Sequence, residues 1–158
     1  MYMEPVPEGE SAVRSLSAAW SEATAFVTAM DATLSRWLME TYGIGLADYR
    51  AMLHLSTASD RELRLNDLAR KVGLNQSSVT RLVERLERKE LIFRDTCPDD
   101  GRGVYAVITD RGVGTVDAIR DPYEGKIREL LQSATEEYPD LGRGDLGRAF
   151  EVIGSLIR

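Results

Sequence analysis

The 158-residue sequence predicts a mainly helical fold with one small β-hairpin. Three observations support this prediction. Apolar residues recur at helical spacing along most of the chain. Two short β-rich runs flank one turn-rich loop. Glycines stand where several of the helical patterns end. The predicted order is therefore four helices, the hairpin and two further helices.

The N-terminal part is predicted to be a mobile tail over residues 1–10 and a long helix over residues 11–42. The tail contains Pro5 and Pro7 and has little apolar surface to bury. The helix carries an apolar seam with alternating spacings of three and four residues, which is typical of helices that pack against other helices. This seam comprises Val13, Leu16, Trp20, Ala23, Val27, Met30, Leu34 and Trp37. Gly43 and Gly45 are expected to end the helix.

The middle of the chain, residues 46–109, is predicted to be a separate module. It is expected to contain three helices and two strands, over residues 46–58, 66–72, 76–89, 91–96 and 104–108. Asn66 and Asn75 are the expected N-caps of the second and third of these helices, and Gly73 is expected to end the second. Two short helices joined by a tight turn and followed by a hairpin predict a winged helix-turn-helix.

The C-terminal part, residues 110–158, is predicted to contain two helices. Thr109 is the expected N-cap of the first, and Pro122 is expected to kink it. A loop over 138–144 is expected to lead into the last helix, whose apolar residues are Leu146, Phe150, Ile153 and Ile157.

The predicted terminal helices carry more apolar surface than the central module can cover. We therefore expect residues 11–45 and 110–158 to be dimerisation helices that flank the module in a homodimer. The alternative is a monomer whose terminal helices wrap around its own core.

Charge is distributed unevenly along the chain. The formal net charge is −6, but residues 61–103 hold ten basic and eight acidic side chains, and residues 70–94 carry a net charge of +4. A basic middle between acidic flanks favours a binding face for nucleic acid in spite of the acidic total.

The sequence also bounds the expected compartment. Cys97 is the single cysteine, so an internal disulfide is excluded and a reducing compartment is favoured. The first ten residues lack the features of a signal peptide, and no apolar run reaches the roughly 20 residues of a membrane span. We expect a cytoplasmic protein with no membrane partner.

The helix predicted over residues 76–89 has two different faces. Val79, Leu82, Val83 and Leu86 share one side, while hydroxyl and guanidinium groups lie on the other. Such groups can bond base edges or phosphates of double-stranded DNA. The candidate contact residues here and at the end of the preceding helix are Asn75, Gln76, Ser77, Ser78, Thr80, Arg81, Arg85, Arg70 and Lys71. The alternative interpretation is an ordinary solvated surface.

The hairpin loop supplies the second candidate contact. An arginine at the tip of a hairpin beside the helix predicted over residues 76–89 can enter a narrow minor groove of DNA, where negative potential is concentrated. Arg102 is the candidate, and Asp100 could hold its side chain in position. The alternative is a plain β-turn made by Pro98, Asp99 and Gly101.

The stretch 46–112 resembles the core of MarR-type regulators, a family of dimeric winged helix-turn-helix transcription factors. The resemblance rests on residues 67–70, 75–88, 91–92, 100–102 and 108–112, together with Arg94. It implies that Ser77, Ser78, Thr80 and Arg81 contact the major groove, that Arg102 reaches the minor groove and that the terminal helices form the dimer. It further implies a repressor that acts on a pseudo-palindromic operator and is released by a small aromatic or phenolic ligand.

Three positions depart from the pattern of this family. In the hairpin, which is the wing of the winged helix-turn-helix, Gly101 replaces the first of two adjacent arginines. Glu90 replaces a glycine before the first strand of the wing, and Ala47 replaces a hydroxyl residue at the start of the second helix. We expect the change at Gly101 to affect the affinity of the wing for DNA and to leave the fold intact.

Several weaker signals concern small molecules and chemistry. Trp20, Trp37, Tyr49 and His54 are candidate residues of an effector pocket, although Trp20 and Trp37 are also seam residues. Cys97 could sense oxidation or be an inert small residue. We expect no metal site, no cofactor and no enzymatic activity, since no nucleophile–base pair or phosphate-binding glycine loop is evident. A winged-helix module that binds only proteins is the alternative function.

Overall fold

The computed structural model describes residues 15–96, 103–137 and 146–157. These residues form helices and a small antiparallel sheet, which confirms the predicted fold class. The helices are α1 (Leu16–Tyr42), α2 (Leu46–Thr57), α3 (Leu65–Val72), α4 (Gln76–Arg88), α5 (Asp110–Glu137) and α6 (Leu146–Leu156). The strands are β1 (Glu62–Arg64), β2 (Ile92–Thr96) and β3 (Val104–Ile108), and a 3₁₀ turn (Ser59–Arg61) precedes β1.

The sheet has three strands in the order β1-β3-β2, where two were predicted. Strand β1 was missed because three residues are too few to show an alternating pattern. All neighbouring strands are antiparallel. Ala106 and Ile108 of β3 face the core, while Tyr105 and Val107 alternate with them and lie on the outer face.

Helix α1 is only partly packed against its own subunit. It begins at Leu16 and not at residue 11, because Ser15 is extended and its hydroxyl accepts a hydrogen bond from the Ala18 N–H. Its buried residues, Leu34 and Leu38, both lie in the last third of a helix about 40 Å long. The opposite end is open to solvent, with Trp20 75% exposed.

Glycine and asparagine set most of the helix boundaries as the sequence predicts. Gly43 and Gly73 adopt left-handed conformations at the ends of α1 and α3, with φ of +66° and +75°. Gly45, however, does not end α1 but precedes α2 as its N-cap. Helix α3 begins at Leu65, so Asn66 lies inside it and is not its cap. Asn75 caps α4 as predicted.

Helix α5 starts as the sequence predicts and is the first of the two helices in the C-terminal part. The Thr109 hydroxyl accepts a hydrogen bond from the Gly112 N–H at 3.0 Å. The helix continues through Pro122 to Glu137. Helix α6 ends one residue before Ile157. The predicted tail 1–10 and loop 138–144 lie outside the described residues, as do Cys97, Asp100 and Arg102.

The core lies where α2, α3, α4 and the start of α5 meet the inner face of the sheet. Its largest fully buried side chains include Tyr49, Met52, Leu55, Leu68 and Leu86. This core fixes the direction of α4 and leaves one face of that helix in solvent.

Candidate nucleic-acid interface

Helix α4 is anchored along one face and at its N-terminal end. Its four apolar residues, Val79, Leu82, Val83 and Leu86, are all buried. At the N-terminus the Asn75 carboxamide oxygen accepts hydrogen bonds from the Ser78 N–H at 2.8 Å and from the Ser77 hydroxyl at 2.9 Å. The helix is therefore held firmly while its other face stays accessible.

Two hydroxyl groups of the accessible face already donate to the protein itself. Ser77 donates to Asn75, and Thr80 donates to the Gln76 carbonyl oxygen at 2.9 Å. Their oxygen lone pairs remain available to accept hydrogen bonds. In this state the hydroxyls match the exocyclic amino groups of adenine and cytosine better than phosphate oxygens, which only accept.

Arg81 is the cation on this face that is best placed to bind a ligand. Its side chain is exposed and makes no hydrogen bond or ion pair with any residue in the described part of the chain. By contrast, Arg70 pairs with Asp67, and Arg94 pairs with Glu87 at 2.8 Å. The five N–H donors of Arg81 are thus free to form bidentate hydrogen bonds with a base edge or a phosphate.

Arg85 has a structural contact that the sequence does not predict. It forms a bidentate pair with Asp48 of α2, with distances of 2.9 Å from Nε and 2.5 Å from Nη2. Asp48 is 3% exposed, and the hydrogen bond to its carboxylate raises the pKa of Arg85 above the ordinary value. Arg85 therefore ties α4 to α2, and its assignment as a DNA contact stays a prediction.

The remaining predicted contacts lie beside α4 or outside the described residues. Arg70 and Lys71 are exposed in the last turn of α3, just before the turn that leads into α4. Asp100 and Arg102 belong to the hairpin loop that the structure does not describe. The structure thus brings together the α4 residues and the end of α3, and leaves the wing tip as a prediction.

The arrangement of α3, α4 and the β2–β3 hairpin matches that of known regulators. Residues 42–103 match the family model of the MarR family. This matched segment is somewhat less than half of the chain, so the comparison establishes similarity to MarR family regulators over the winged helix-turn-helix module. It is 29% identical over 96 residues to the HTH-type transcriptional regulator MhqR of Bacillus subtilis, a match that covers 61% of this chain and 65% of that protein.

Further relatives and solved structures show the same similarity. The HTH-type transcriptional repressor YetL of Bacillus subtilis is 25% identical over 120 residues, which cover 73% of this chain and 72% of YetL. Among solved structures, the MarR family regulator Sco3205 of Streptomyces coelicolor in complex with DNA has a TM-score of 0.71 at 23% identity, covering 92% of this chain and 91% of Sco3205. The MepR–DNA complex of Staphylococcus aureus has a TM-score of 0.63 at 21% identity, and the match covers 88% of this chain and 98% of that chain. These structural similarities show the fold.

The four residues predicted to line an effector pocket do not meet within one subunit. Trp20 and Trp37 are 17 positions apart on α1, about 25 Å along the helix axis. Trp37 packs edge-on against Tyr42. Tyr49 is fully buried against Tyr123, with ring centroids 4.7 Å apart, and burial raises its pKa to about 12. The sequence pattern could not separate such core aromatic residues from pocket residues.

A cavity of about 540 Å³ lies instead between α1, α2 and the α3–α4 pair. Its polar wall includes the Asp48–Arg85 pair and a second bidentate pair in which Arg50 donates to Asp31 at 2.7 and 2.9 Å. Its apolar wall is formed by Met39, Leu46, Val72 and Leu74. No local sequence pattern predicts this cavity, because its lining residues come from different helices. Asp31 and Arg50, for example, are 19 positions apart in the sequence.

The described residues give no sign of a metal centre or a membrane span. Within the three described segments, no group of three or more His, Cys, Asp and Glu side chains could hold a metal ion. Among the helices of those same segments, none has both the length and the apolarity needed to cross a bilayer.

Proposed function

We propose that this chain is a sequence-specific regulator that binds double-stranded DNA as a homodimer, with α4 in the major groove. The observation that carries the proposal is the exposed N-terminal face of α4. Ser77 and Thr80 offer hydrogen-bond acceptors there, and Arg81 offers unpaired donors, on a helix whose other face is locked in the core. A helix with this division of roles can read base edges without losing its own packing.

The distribution of charge supports the same proposal. Residues 70–94, which contain α4 and the end of α3, carry a net charge of +4 in a chain of net charge −6. Phosphate binding requires such a local positive surface, whereas the acidic remainder reduces non-specific attraction to nucleic acid.

Exposed apolar surface on both terminal arms supports the homodimer. Leu16 and Trp20 at the start of α1, and Ile153 and Leu156 on α6, are each at least half exposed in the single subunit. A monomer rarely exposes this much large apolar surface, so a second copy is the simplest cover. A two-fold dimer would place its two α4 helices in successive major grooves, about 34–36 Å apart.

Sedimentation equilibrium tests the dimer. We expect the wild type to sediment as a dimer, and Trp20→Glu combined with Ile153→Glu to shift it to the monomer. Phe93→Glu is the matched control, because Phe93 is also a half-exposed apolar residue but lies on the sheet. A wild type that is monomeric at concentrations at which it binds DNA would contradict the proposal.

We further propose that the protein represses transcription and that a small phenolic ligand releases it. YetL, one of the relatives, is named as a repressor. The cavity beside α4 combines apolar side chains with three cations, Arg50, Arg85 and Lys89, of which the first two are paired with Asp31 and Asp48. This lining has one more cation than carboxylate and suits an aromatic ring bearing a weakly acidic hydroxyl. A phenolate there would compete with Asp48 for Arg85 and so loosen the tie between α2 and α4. A panel of substituted phenols that leaves the affinity for DNA unchanged would exclude this class of ligand.

Selection from a random pool of duplexes, followed by binding titrations, tests the DNA-binding proposal and does not require the operator sequence. We expect an enriched inverted repeat, and an affinity that falls by orders of magnitude between about 50 and 200 mM salt. Failure to enrich any motif would instead favour a winged-helix module that binds only proteins, the alternative that the acidic total charge supports. A DNA ligand and a single unpaired cysteine both fit the cytoplasm as the compartment.

A further inference from the structure

A pair of contacting side chains lies on the outer face of the sheet, at the end nearest the hairpin loop. Arg64 on β1 and Tyr105 on β3 are directly opposite each other in the antiparallel register. The Arg64 Nε–H donates to the Tyr105 hydroxyl oxygen at 2.8 Å, and the guanidinium carbon lies 5.3 Å from the centre of the Tyr105 ring. The arginine therefore both hydrogen-bonds to the tyrosine and lies over its ring.

This pair lies against Gly103, where the chain returns from the hairpin loop. A Cβ atom on Gly103 would be 3.2 Å from the Tyr105 ring and 3.8 Å from the guanidinium of Arg64. The two side chains thus pack on the backbone at the base of the wing, and a glycine at this position leaves room for them.

Arg64 is also the residue from which the helix-turn-helix begins. It is the last residue of β1 and the N-cap residue of α3, with extended backbone angles. Its backbone is therefore fixed to the α3–α4 unit, and its side chain is fixed to β3 and the base of the wing. Arg64 thus connects the α3–α4 unit to β3, in addition to the Glu87–Arg94 ion pair that joins α4 to β2.

We propose that Arg64 is a positioning residue that sets the placement of the wing relative to α4 through Tyr105, and thereby determines part of the affinity for DNA. The inference rests on the proposed function, since it assigns a role in DNA binding. It requires arginine specifically. A lysine keeps the charge but lacks the planar guanidinium that can hydrogen-bond to the tyrosine and lie over its ring.

The test uses two conservative variants of the full chain and one control. Arg64→Lys removes the guanidinium and keeps the charge, and Tyr105→Phe removes only the hydroxyl. Arg61→Lys is the control, because Arg61 lies just before the other end of β1 and pairs with Asp110 at 3.2 Å, away from the wing. Affinity for a duplex selected by the wild type is measured together with hydroxyl-radical footprinting.

We expect Arg64→Lys to weaken binding about tenfold and Tyr105→Phe about threefold, in line with the loss of one charge-assisted hydrogen bond. The double variant should bind no more weakly than Arg64→Lys alone, since both changes break the same contact. Protection of the flanking minor groove should decrease while protection of the major-groove site persists. Arg61→Lys should bind as the wild type does.

Three outcomes would overturn the proposal. Full affinity in Arg64→Lys would show that only the charge matters, as for a simple phosphate contact. Independent, multiplicative losses in the double variant would show that the two residues do not act through one contact. Unchanged protection of the flanks would show that the wing keeps its place.

Hydrogen exchange in the free protein separates this inference from the proposed function. The amides of β2 and β3 should exchange faster in Arg64→Lys and Tyr105→Phe than in the wild type, and those of α4 should not change. If the wild type binds no duplex, the proposed function fails, and this exchange pattern alone then decides whether Arg64 positions the wing. Unchanged exchange in β2 and β3 would reject the positioning role.

Discussion

Arg81 and Arg85 lie one helical turn apart on α4, yet their surroundings differ completely. Arg81 is exposed and makes no contact with a carboxylate within the described residues, whereas Arg85 is bound by the buried carboxylate of Asp48. The sequence pattern placed both residues on the polar side of the helix. It could not predict that Asp48, 37 positions earlier, would pair with one of them.

The first prediction concerns the stability contributed by Arg85. Arg85→Gln leaves the Asp48 carboxylate buried without its cation, so we expect the free energy of unfolding to fall by about 2–3 kcal/mol. Arg88→Gln changes an exposed residue on the same helix and should alter stability by less than about 0.5 kcal/mol. Urea denaturation of both variants measures the difference, and equal midpoints would contradict the structural role of Arg85.

Glu90 provides a second prediction at the scale of one residue. It adopts a left-handed conformation with φ of +58°, at a position where MarR-type regulators usually carry a glycine. Glu90→Gly should therefore stabilise the fold by about 0.5–1 kcal/mol, even though it removes an exposed ion pair with Arg111.

Lys89→Gly is the matched control for Glu90→Gly. Lys89 has φ of −87°, which other residues adopt easily, so a glycine there relieves no strain. It adds disorder to the unfolded chain and removes the long hydrogen bond from Lys89 Nζ to the Gly43 carbonyl oxygen, so it should lower stability. A loss of stability in Glu90→Gly as large as that in Lys89→Gly would show that the conformation of Glu90 carries no strain.

The third prediction is that the stability of the fold depends on pH through the titration of His54. Burial, followed by the charge of Lys71 and then that of Arg50, lowers the pKa of His54 below its ordinary value of 6.5. Between the lowered pKa and 6.5 the unfolded chain binds a proton that the folded chain does not, so the free energy of unfolding falls as the pH decreases through this range. His54→Gln should flatten the curve as the pH falls below about 7, since His54 is the single histidine. An unchanged slope in His54→Gln would contradict this assignment.

At the scale of elements, the fourth prediction concerns the close packing of α5 against Leu91, the residue just before β2. A Cβ atom on Gly112 would lie 2.2 Å from the Leu91 carbonyl oxygen, which accepts hydrogen bonds from the Thr109 N–H and hydroxyl. Gly112→Ala should lower stability by about 2–3 kcal/mol, because backbone must move to relieve the clash.

Gly114→Ala is the internal control for Gly112→Ala. It lies two residues further along the same helix, and a Cβ atom there would have open space. This variant should stabilise the protein by about 0.5–1 kcal/mol through helix propensity. Thermal unfolding compares the two, and similar effects of both alanines would refute the close approach.

The elements that the sequence predicted well are those with strong local signals. Helical periodicity and capping residues located α4, and Thr109 and Gly43 marked the boundaries of α5 and α1. Strand β1 was missed because it exists only through its pairing with β3. The cavity and its two ion pairs were missed for the same reason, since they depend on contacts between distant helices.

At the scale of the whole molecule, ion pairs connect the central module to the N-terminal arm. The core holds α4 in place, and the Asp48–Arg85 and Asp31–Arg50 pairs connect it through α2 to α1. The apolar ends of α1 and α6 stay exposed in the single subunit. A ligand in the cavity would act at the junction of these connections. The sequence predicted arms and a module, and the structure adds the side chains that join them.

The affinity of Arg81→Ala for its selected duplex tests the central claim most directly. If α4 reads the major groove, this variant should lose about 1–3 kcal/mol of binding free energy and tolerate base changes at one position of each half-site. Arg120→Ala, which alters an exposed arginine on α5 that pairs with Asp117, should bind as the wild type does. An Arg81→Ala variant that keeps both the affinity and the sequence preference of the wild type would contradict the account.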